Sequence, residues 1–468
     1  MSEPAARLGR GKEGAPAFAL RGIVEGFYGR PWTHEQRLDM IEFIADRGMN
    51  TFVYSPKDDP LVRRDWRQPY SGAELERLSE LAASCRLHGL DFVYCLSPGL
   101  SIQYSSQGDI AELCAKFDSV ARLGVGFFGL LLDDIPLVLQ HAVDRKQFDD
   151  LADAHSHIVQ EVFTQLQQND AQHRLIVCPT VYCGYGDEPY VARLGRGIDP
   201  RIEFFWTGRA ICSATIDLAD AAVISRTIAR PVTYWDNYPV NDVAMGGELH
   251  IGPYRGRDRH LARFSAGVIA NGMELFESSK IAFATIADYL WAPEQYDPEA
   301  SWAVALRDVV GSERDLAAFA LFADNVRSSC LSQEDAPLVS AAIEQFSFAH
   351  DTGDPVAAST ALISLADQLC DAADRLIDGD VTNPDLMAEA MPWLTTFRIG
   401  AVALKRLAEL STVGQLDDAA RQELAGYLEQ FRRQNRRVFG DALTMTLTDA
   451  TGSSGRSDGE SRRGSSSP

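Results

Sequence analysis

The stretch LLLDDIP, residues 130–136, decides the fold. Three successive leucines fit a strand buried on both faces, as strands of a parallel sheet are. The run stops at two adjacent carboxylates, Asp133 and Asp134, and a proline at 136. Successive strand side chains point to opposite faces, so two acids in mid-strand bury at least one charge at several kcal/mol. At the strand's end the chain is leaving the sheet, and both acids can turn toward a cleft. The bland alternative is an N-cap pair opening the next helix.

Similar apolar runs lie on either side. In chain order the strand candidates are 22–27, 50–54, 91–96, 126–132, 174–179, 202–206, 231–235 and 267–275. Helical patterns separate them, near 72–88, 107–123, 150–168, 213–229 and 280–290. The first helix is well marked. Thr33-His34-Glu35-Gln36 fits a capping box, Leu38, Ile41 and Ile44 form its apolar stripe, and Gly48 suits its exit. Eight β-then-α units predict an α/β chain with a (β/α)8 TIM barrel over 21–295. A doubly wound open sheet is the alternative. It calls for a Gly-rich phosphate turn after the first strand, and GIVEGFYG at 22–29 lacks the GxGxxG spacing.

Strand signals vanish beyond that point, and a helical bundle is expected over 296–445. Asp354-Pro355 reads as an N-cap and N1 proline ahead of Leu362, Leu365, Leu369, Ala373 and Leu376. Leu416, Ala420, Leu424, Leu428 and Phe431 form a second stripe. Residues 1–20 read as a flexible lead-in. Residues 446–468, Ser/Gly-rich from Thr451, read as a disordered tail.

The 468 residues are 46% hydrophobic and 24% charged, which is ordinary for a soluble globular protein. A net charge of −22 disfavours nucleic acid and other polyanions as partners. Lys57, Arg63, Arg64 and Arg67 nevertheless cluster in one segment, where a local basic patch is expected. No apolar run is long enough to span a bilayer, and the first residues carry no signal-like apolar stretch, so a cytoplasmic protein without a membrane partner is expected. Eight scattered cysteines with no CxxC read as reduced thiols, and the close pair Cys178 and Cys183 as packing rather than half a zinc site. The nine histidines form no HxxxH or HEXXH, and His155 and His157 point different ways on a helix, so no metal or organic cofactor is expected.

In this fold, catalytic residues gather at the C-terminal ends of strands. Those ends carry Glu25-Gly26-Phe27-Tyr28, Tyr54-Ser55-Pro56-Lys57-Asp58-Asp59, Asp133-Asp134, Cys178-Pro179-Thr180-Val181-Tyr182, Trp206-Thr207-Gly208, Trp235-Asp236-Asn237 with Asn241-Asp242 beyond, and Asn271. Singly, each has an ordinary explanation: core tryptophans, turn asparagines, a surface lysine. Together they are the equipment of a sugar site, with rings to stack on a pyranose face and carboxylates and amides to take its hydroxyls. Like charges held close push one pKa up, so one acid of the pair is expected to keep its proton near neutral pH. Acid-assisted glycoside cleavage requires that pairing.

GIVEGFYGRPW, YSPKDD, LLLDDI, CPTVYCG, FWTG, YWDNYPVND and Gly252-Pro253-Tyr254-Arg255-Gly256-Arg257 together resemble the O-GlcNAcases, the β-N-acetylglucosaminidases of glycoside hydrolase family eighty-four. The resemblance covers about residues 21–290 in order. It implies a retaining hydrolase of terminal β-linked N-acetylglucosamine, including that on Ser/Thr of proteins. Catalysis would be substrate-assisted: the 2-acetamido carbonyl attacks C1 and forms an oxazoline. By that match Asp133 orients and polarises the acetamide N–H, and Asp134 protonates the leaving oxygen and then activates water. Tyr182 and Asn237 contact the acetamide region, Trp235 walls it, and Cys178 lies beneath. Gly26 through its backbone, Lys57, Asp242 and Asn271 hold the sugar hydroxyls. Val181 departs from animal relatives, which carry an acid there. The implied partners are β-GlcNAc-bearing glycans or glycoproteins, and the helical region is a candidate homodimer surface. The alternatives are a hyaluronan-cleaving hexosaminidase, which the net charge opposes, and a non-catalytic GlcNAc-binding module, which the retention of both acids opposes.

Overall fold

The computed structural model describes residues 12, 14–352, 355–412 and 416–452. Most of the expected lead-in and tail, and the cap expected at Asp354, lie outside them. Eight strands, β1 (Leu20–Glu25), β2 (Thr51–Tyr54), β3 (Asp91–Leu96), β4 (Phe127–Leu131), β5 (Arg174–Cys178), β6 (Glu203–Trp206), β7 (Val232–Asp236) and β8 (Ser265–Asn271), follow one another round a closed barrel. All neighbours are parallel, and β1 closes on β8 with Gly22 beside Ile269. The fold is a (β/α)8 TIM barrel, not an open sheet.

Alternation along each strand builds two cores. Leu20, Val24, Phe127, Leu131, Ile176, Cys178, Phe205, Trp235 and Ile269 belong to the cluster that fills the barrel. Ile23, Phe128, Leu130, Leu132 and Phe204 belong to the larger cluster outside it, with Ile41, Ile44 and Phe283 of the helices. The three leucines at 130–132 thus alternate out, in, out. Asp133 continues the inward parity one step past the last buried layer. Helix α1 (His34–Asp46) starts as its sequence demands: Thr33 and Gln36 cap each other reciprocally, and Gly48 takes φ +81° at its exit.

The described chain divides into two compact units. One holds the barrel, His250–Ala305 and Ser329–Ser332; the other holds Gly247–Leu249, Leu306–Ser328 and the described residues from Gln333 onward. The division falls at 305/306, where the sequence suggested 295/296. Helix Pro298–Val310 looks alike in sequence wherever it packs, and its first half is tied to the barrel unit by Trp302 Nε1 donating to the Ile251 carbonyl at 2.6 Å. The second unit is helical among its described residues. Helix Pro355–Asp378 buries Leu362, Leu369, Ala373 and Leu376, and helix Asp418–Arg433 buries Ala420, Leu424, Leu428 and Phe431. Residues 446–451, expected in the disordered tail, instead complete helix Ala442–Thr451, because Leu443 and Leu447 are apolar anchors one turn apart and both are buried.

Candidate active site

Strand β4 ends where its hydrogen bonding does. Leu132 N donates to the Cys178 carbonyl at 2.9 Å, and Thr180 Oγ1 donates to the Leu132 carbonyl at 2.6 Å. Asp134 then turns the chain with φ +52°, a left-handed conformation that costs a non-glycine residue energy. No helix begins there; the next starts at Asp144, so the acid pair is not a helix cap. The turn separates the two carboxylates. Asp133's side chain is 10% exposed and Asp134's 32%.

Lys57, from the loop after β2, lies between them. Its ammonium donates to Asp133 Oδ2 at 2.8 Å and stands 3.8 Å from Asp134 Oδ2. Burial alone would lower the lysine's pKa, yet the two carboxylates hold it above its ordinary value. Burial would raise Asp134, but Lys57, the hydroxyls of Tyr28 and Tyr182, and Arg63 together hold it below the usual carboxylate range. For Asp134 this is the reverse of what repulsion by its neighbour alone would produce. A buried cation between like charges reverses the sign of the local field. Tyr28 donates its hydroxyl to Asp134 Oδ2 at 2.8 Å, and Tyr182 donates to Oδ1 at 3.0 Å. Asp133 Oδ1 is buried without a hydrogen-bond partner.

The opposite wall comes from β1, β7 and β8. Gly26 N donates to Asn271 Oδ1 at 3.1 Å, Asn271 Nδ2 donates to Asn237 Oδ1 at 3.0 Å, and Trp235 Nε1 donates to the same oxygen at 3.0 Å. Asn237 Nδ2 donates to the Ile211 carbonyl at 2.8 Å, on the loop after β6. The Trp235 indole packs edge-on to Phe205 at 5.3 Å, and Lys57 stands 6.0 Å from its ring. A Cβ on Gly26 would lie 2.4 Å from Trp235 Cζ2, so only glycine fits there. Asp242 Oδ2 accepts from Tyr28 N at 2.7 Å, and burial raises its pKa. Cys178 is buried in the barrel core, its thiol pushed up chiefly by burial, with Tyr182 packed against that cluster. Val181 is partly buried against the outer cluster.

All ten residues singled out from the sequence therefore gather at one end of the barrel. Two contributors were not among them. Tyr28 holds both Asp134 and Asp242, and its only signal was its place two residues after Gly26. Arg63 donates to the Tyr28 hydroxyl at 3.1 Å and to the Asp134 carbonyl at 3.3 Å, from a loop with no periodic pattern. The expected basic patch does not form. Lys57 and Arg63 serve the site, Arg64 pairs with Asp65, and Arg67 pairs with Asp109 and Glu112.

Two carboxylates of unequal exposure beside a ring wall, in the mouth of a (β/α)8 barrel, are the working parts of a glycoside hydrolase. A family model described as NAGidase, beta-N-acetylglucosaminidase, matches residues 21–324, and the chain belongs to that family. Two curated proteins named Protein O-GlcNAcase are each 35% identical to it: over 290 residues in Rattus norvegicus and 285 in Mus musculus, 61% and 60% of this chain. The match spans 31% of each relative's length. A solved structure of a mutant O-GlcNAc hydrolase from Thermobaculum terrenum superposes with a TM-score of 0.87 at 32% identity, covering 93% of this chain and 95% of that one.

Proposed function

We propose that the protein is a retaining glycoside hydrolase that removes terminal β-linked N-acetylglucosamine, including O-GlcNAc on Ser/Thr of proteins, through an oxazoline formed by the substrate's own acetamide. The observation that carries this reading is Asp133 Oδ1. A buried carboxylate oxygen without a donor costs energy, and its other oxygen is already held by Lys57. An acetamide N–H is the neutral donor that completes it. Donation to an anion makes the acetamide carbonyl oxygen more nucleophilic, and that oxygen attacks C1. Trp235 and Tyr182 confine the acetamide. Gly26, Lys57, Asp242 and Asn271 take the hydroxyls, and Asn237 braces the acetamide wall.

Asp134, at the more exposed position, serves as general acid and then base. In the free site its donors favour the anion. A bound sugar that draws the Tyr182 hydroxyl to its acetamide removes one donor and dries the carboxyl, and both changes raise its pKa toward the acid form. Ring opening by water, with Asp134 as base, returns the β-anomer.

The same reading makes the protein cytoplasmic, with GlcNAc-bearing glycoproteins rather than nucleic acid or membranes as partners. No helix among the described residues is long and apolar enough to cross a membrane. Its helical unit serves as a homodimer surface, which the exposed Leu338, Phe348, Val356 and Met445 support. Turnover of an O-GlcNAc peptide, chitobiose and a hyaluronan oligomer, with the anomer of the first product followed by NMR, tests the proposal. Preference for the peptide with retention is the expected result. Inversion, or preference for the hyaluronan oligomer, refutes it.

A further inference from the structure

Asn237 is held from two sides by segments that each carry a cysteine. Its side-chain amide donates to Ile211, next to Cys212, on the loop after β6. Its backbone carbonyl accepts from the Cys330 thiol at 3.8 Å. Cys330 sits in the four-residue turn Ser329–Ser332, closed by Ser329 and Ser332 bonding to each other at 2.8 and 3.2 Å, and this turn belongs to the barrel unit. Cys330 also neighbours Cys212, whose thiol it holds below the ordinary cysteine pKa by offering it a proton. Cys330 thus has one proton and two acceptors, the Asn237 carbonyl and the Cys212 sulfur. Both cysteines are partly exposed, whereas Cys85, Cys95 and Cys178 are buried.

We propose that Cys212 and Cys330 form a redox modification site, a reversible disulfide whose closure is felt at Asn237. The oxidant is a peroxide. The Cys212 thiolate attacks one peroxide oxygen, the O–O bond breaks, and hydroxide leaves and takes a proton to become water. Cys212 is then a sulfenic acid. The Cys330 sulfur displaces its hydroxyl, which leaves as a second water, and the S–S bond forms. Two thiols lose two electrons and two protons, and one hydrogen peroxide becomes two waters. Donation from Cys330 lowers the pKa of Cys212 and marks it as the attacking sulfur.

A disulfide bond of about 2.05 Å is far shorter than a thiol hydrogen bond, so closure draws the Ile211-Cys212 backbone toward the turn. It also removes the proton that Cys330 offers to Asn237. A thiol is a weak donor, so losing its hydrogen bond at a wall residue lowers kcat/KM about twofold. This effect on rate rests on the substrate reading above; the disulfide itself does not.

The test treats the full chain with hydrogen peroxide, quenches with an alkylating agent, and maps peptides by mass spectrometry. The expected result is a Cys212–Cys330 cross-linked peptide, lighter than the two thiol peptides by two hydrogens and reversed by a phosphine reductant. A parallel fall and recovery of kcat/KM on a chromogenic N-acetylglucosaminide should accompany it. Cys330→Ser and Cys212→Ser should each remove both the cross-link and the peroxide sensitivity. No cross-link, a cross-link elsewhere, or a Cys212–Cys330 bond with an unchanged rate overturns the proposal. A reduced enzyme inactive on that substrate overturns the functional reading instead, and the peptide map then decides the disulfide alone.

Discussion

The two acids should fail differently when removed, and the geometry predicts how. In Asp133→Asn the amide oxygen keeps Lys57, which leaves the NH2 group facing the acetamide N–H. The hydrogen bond to a charged acceptor is lost, about 1.5–3 kcal/mol, and two donors now oppose each other, about 1–3 kcal/mol more. The sum is about 2.5–6 kcal/mol, or about 10²–10⁴ in rate. That loss belongs to ring closure, so it should be nearly the same for every leaving group. In Asp134→Ala the general acid is gone. A phenolate of low pKa departs without a proton, so its ring closure should survive, whereas poor leaving groups should lose about 10²–10⁴. The assay is kcat/KM for both variants across aryl N-acetylglucosaminides of graded phenol pKa. Asp134→Ala should show a steep slope against leaving-group pKa, and Asp133→Asn a parallel offset. Exchanged slopes would reverse the assignment. Full activity in both variants would move the active site elsewhere.

Three further outcomes are expected. Gly26→Ala places a methyl 2.4 Å from Trp235 Cζ2 and must displace the indole by about 1 Å; kcat/KM should fall by about 10², and unchanged kinetics in a folded variant would refute the fit. His155 is fully buried between the hydroxyls of Tyr104 and Tyr190, and burial lowers its pKa to about 3 from 6.5. The unfolded chain therefore binds a proton that the folded one refuses, so this contribution to stability is complete above pH 6.5 and falls by about 4 kcal/mol as pH drops toward 3; urea midpoints of His155→Gln should fall less steeply over that window than those of the wild type. Arg257 donates two bonds to buried Asp236, at 2.8 and 2.6 Å, so Arg257→Met should destabilise the fold by about 3–5 kcal/mol, and adding Asp236→Asn should restore part of it; additive losses in thermal melts would contradict an uncompensated charge as the cause.

Much of this was legible one residue at a time. The alternation of apolar runs with helical stripes is local, and a strand run that ends in charge marks where a chain leaves a sheet. So β1 to β8, the capping box at Thr33 and the placing of Asp133 and Asp134 at a strand end follow from the sequence, as does the gathering of Gly26, Lys57, Cys178, Tyr182, Trp235, Asn237, Asp242 and Asn271, once the barrel brings all strand ends to one face. Helix Pro298–Val310 shows the limit, since an apolar stripe states that a helix is buried but not against what.

Charge was the other limit. Asp133 and Asp134 adjoin in sequence, and repulsion between them is the only field the sequence displays. Lys57 reaches them from 76 residues away, and Tyr28, Arg63 and Tyr182 from three different loops. Closing the barrel places that cation and those donors within hydrogen-bonding distance, with Lys57 and Asp133 buried and Asp134 at the solvent edge. The sign of Asp134's shift, and the bringing together of Cys212 and Cys330 at Asn237, are therefore properties of the tertiary structure. Electrostatic and hydrogen-bond energies depend on distances through space, and adjacency in the chain does not set those distances.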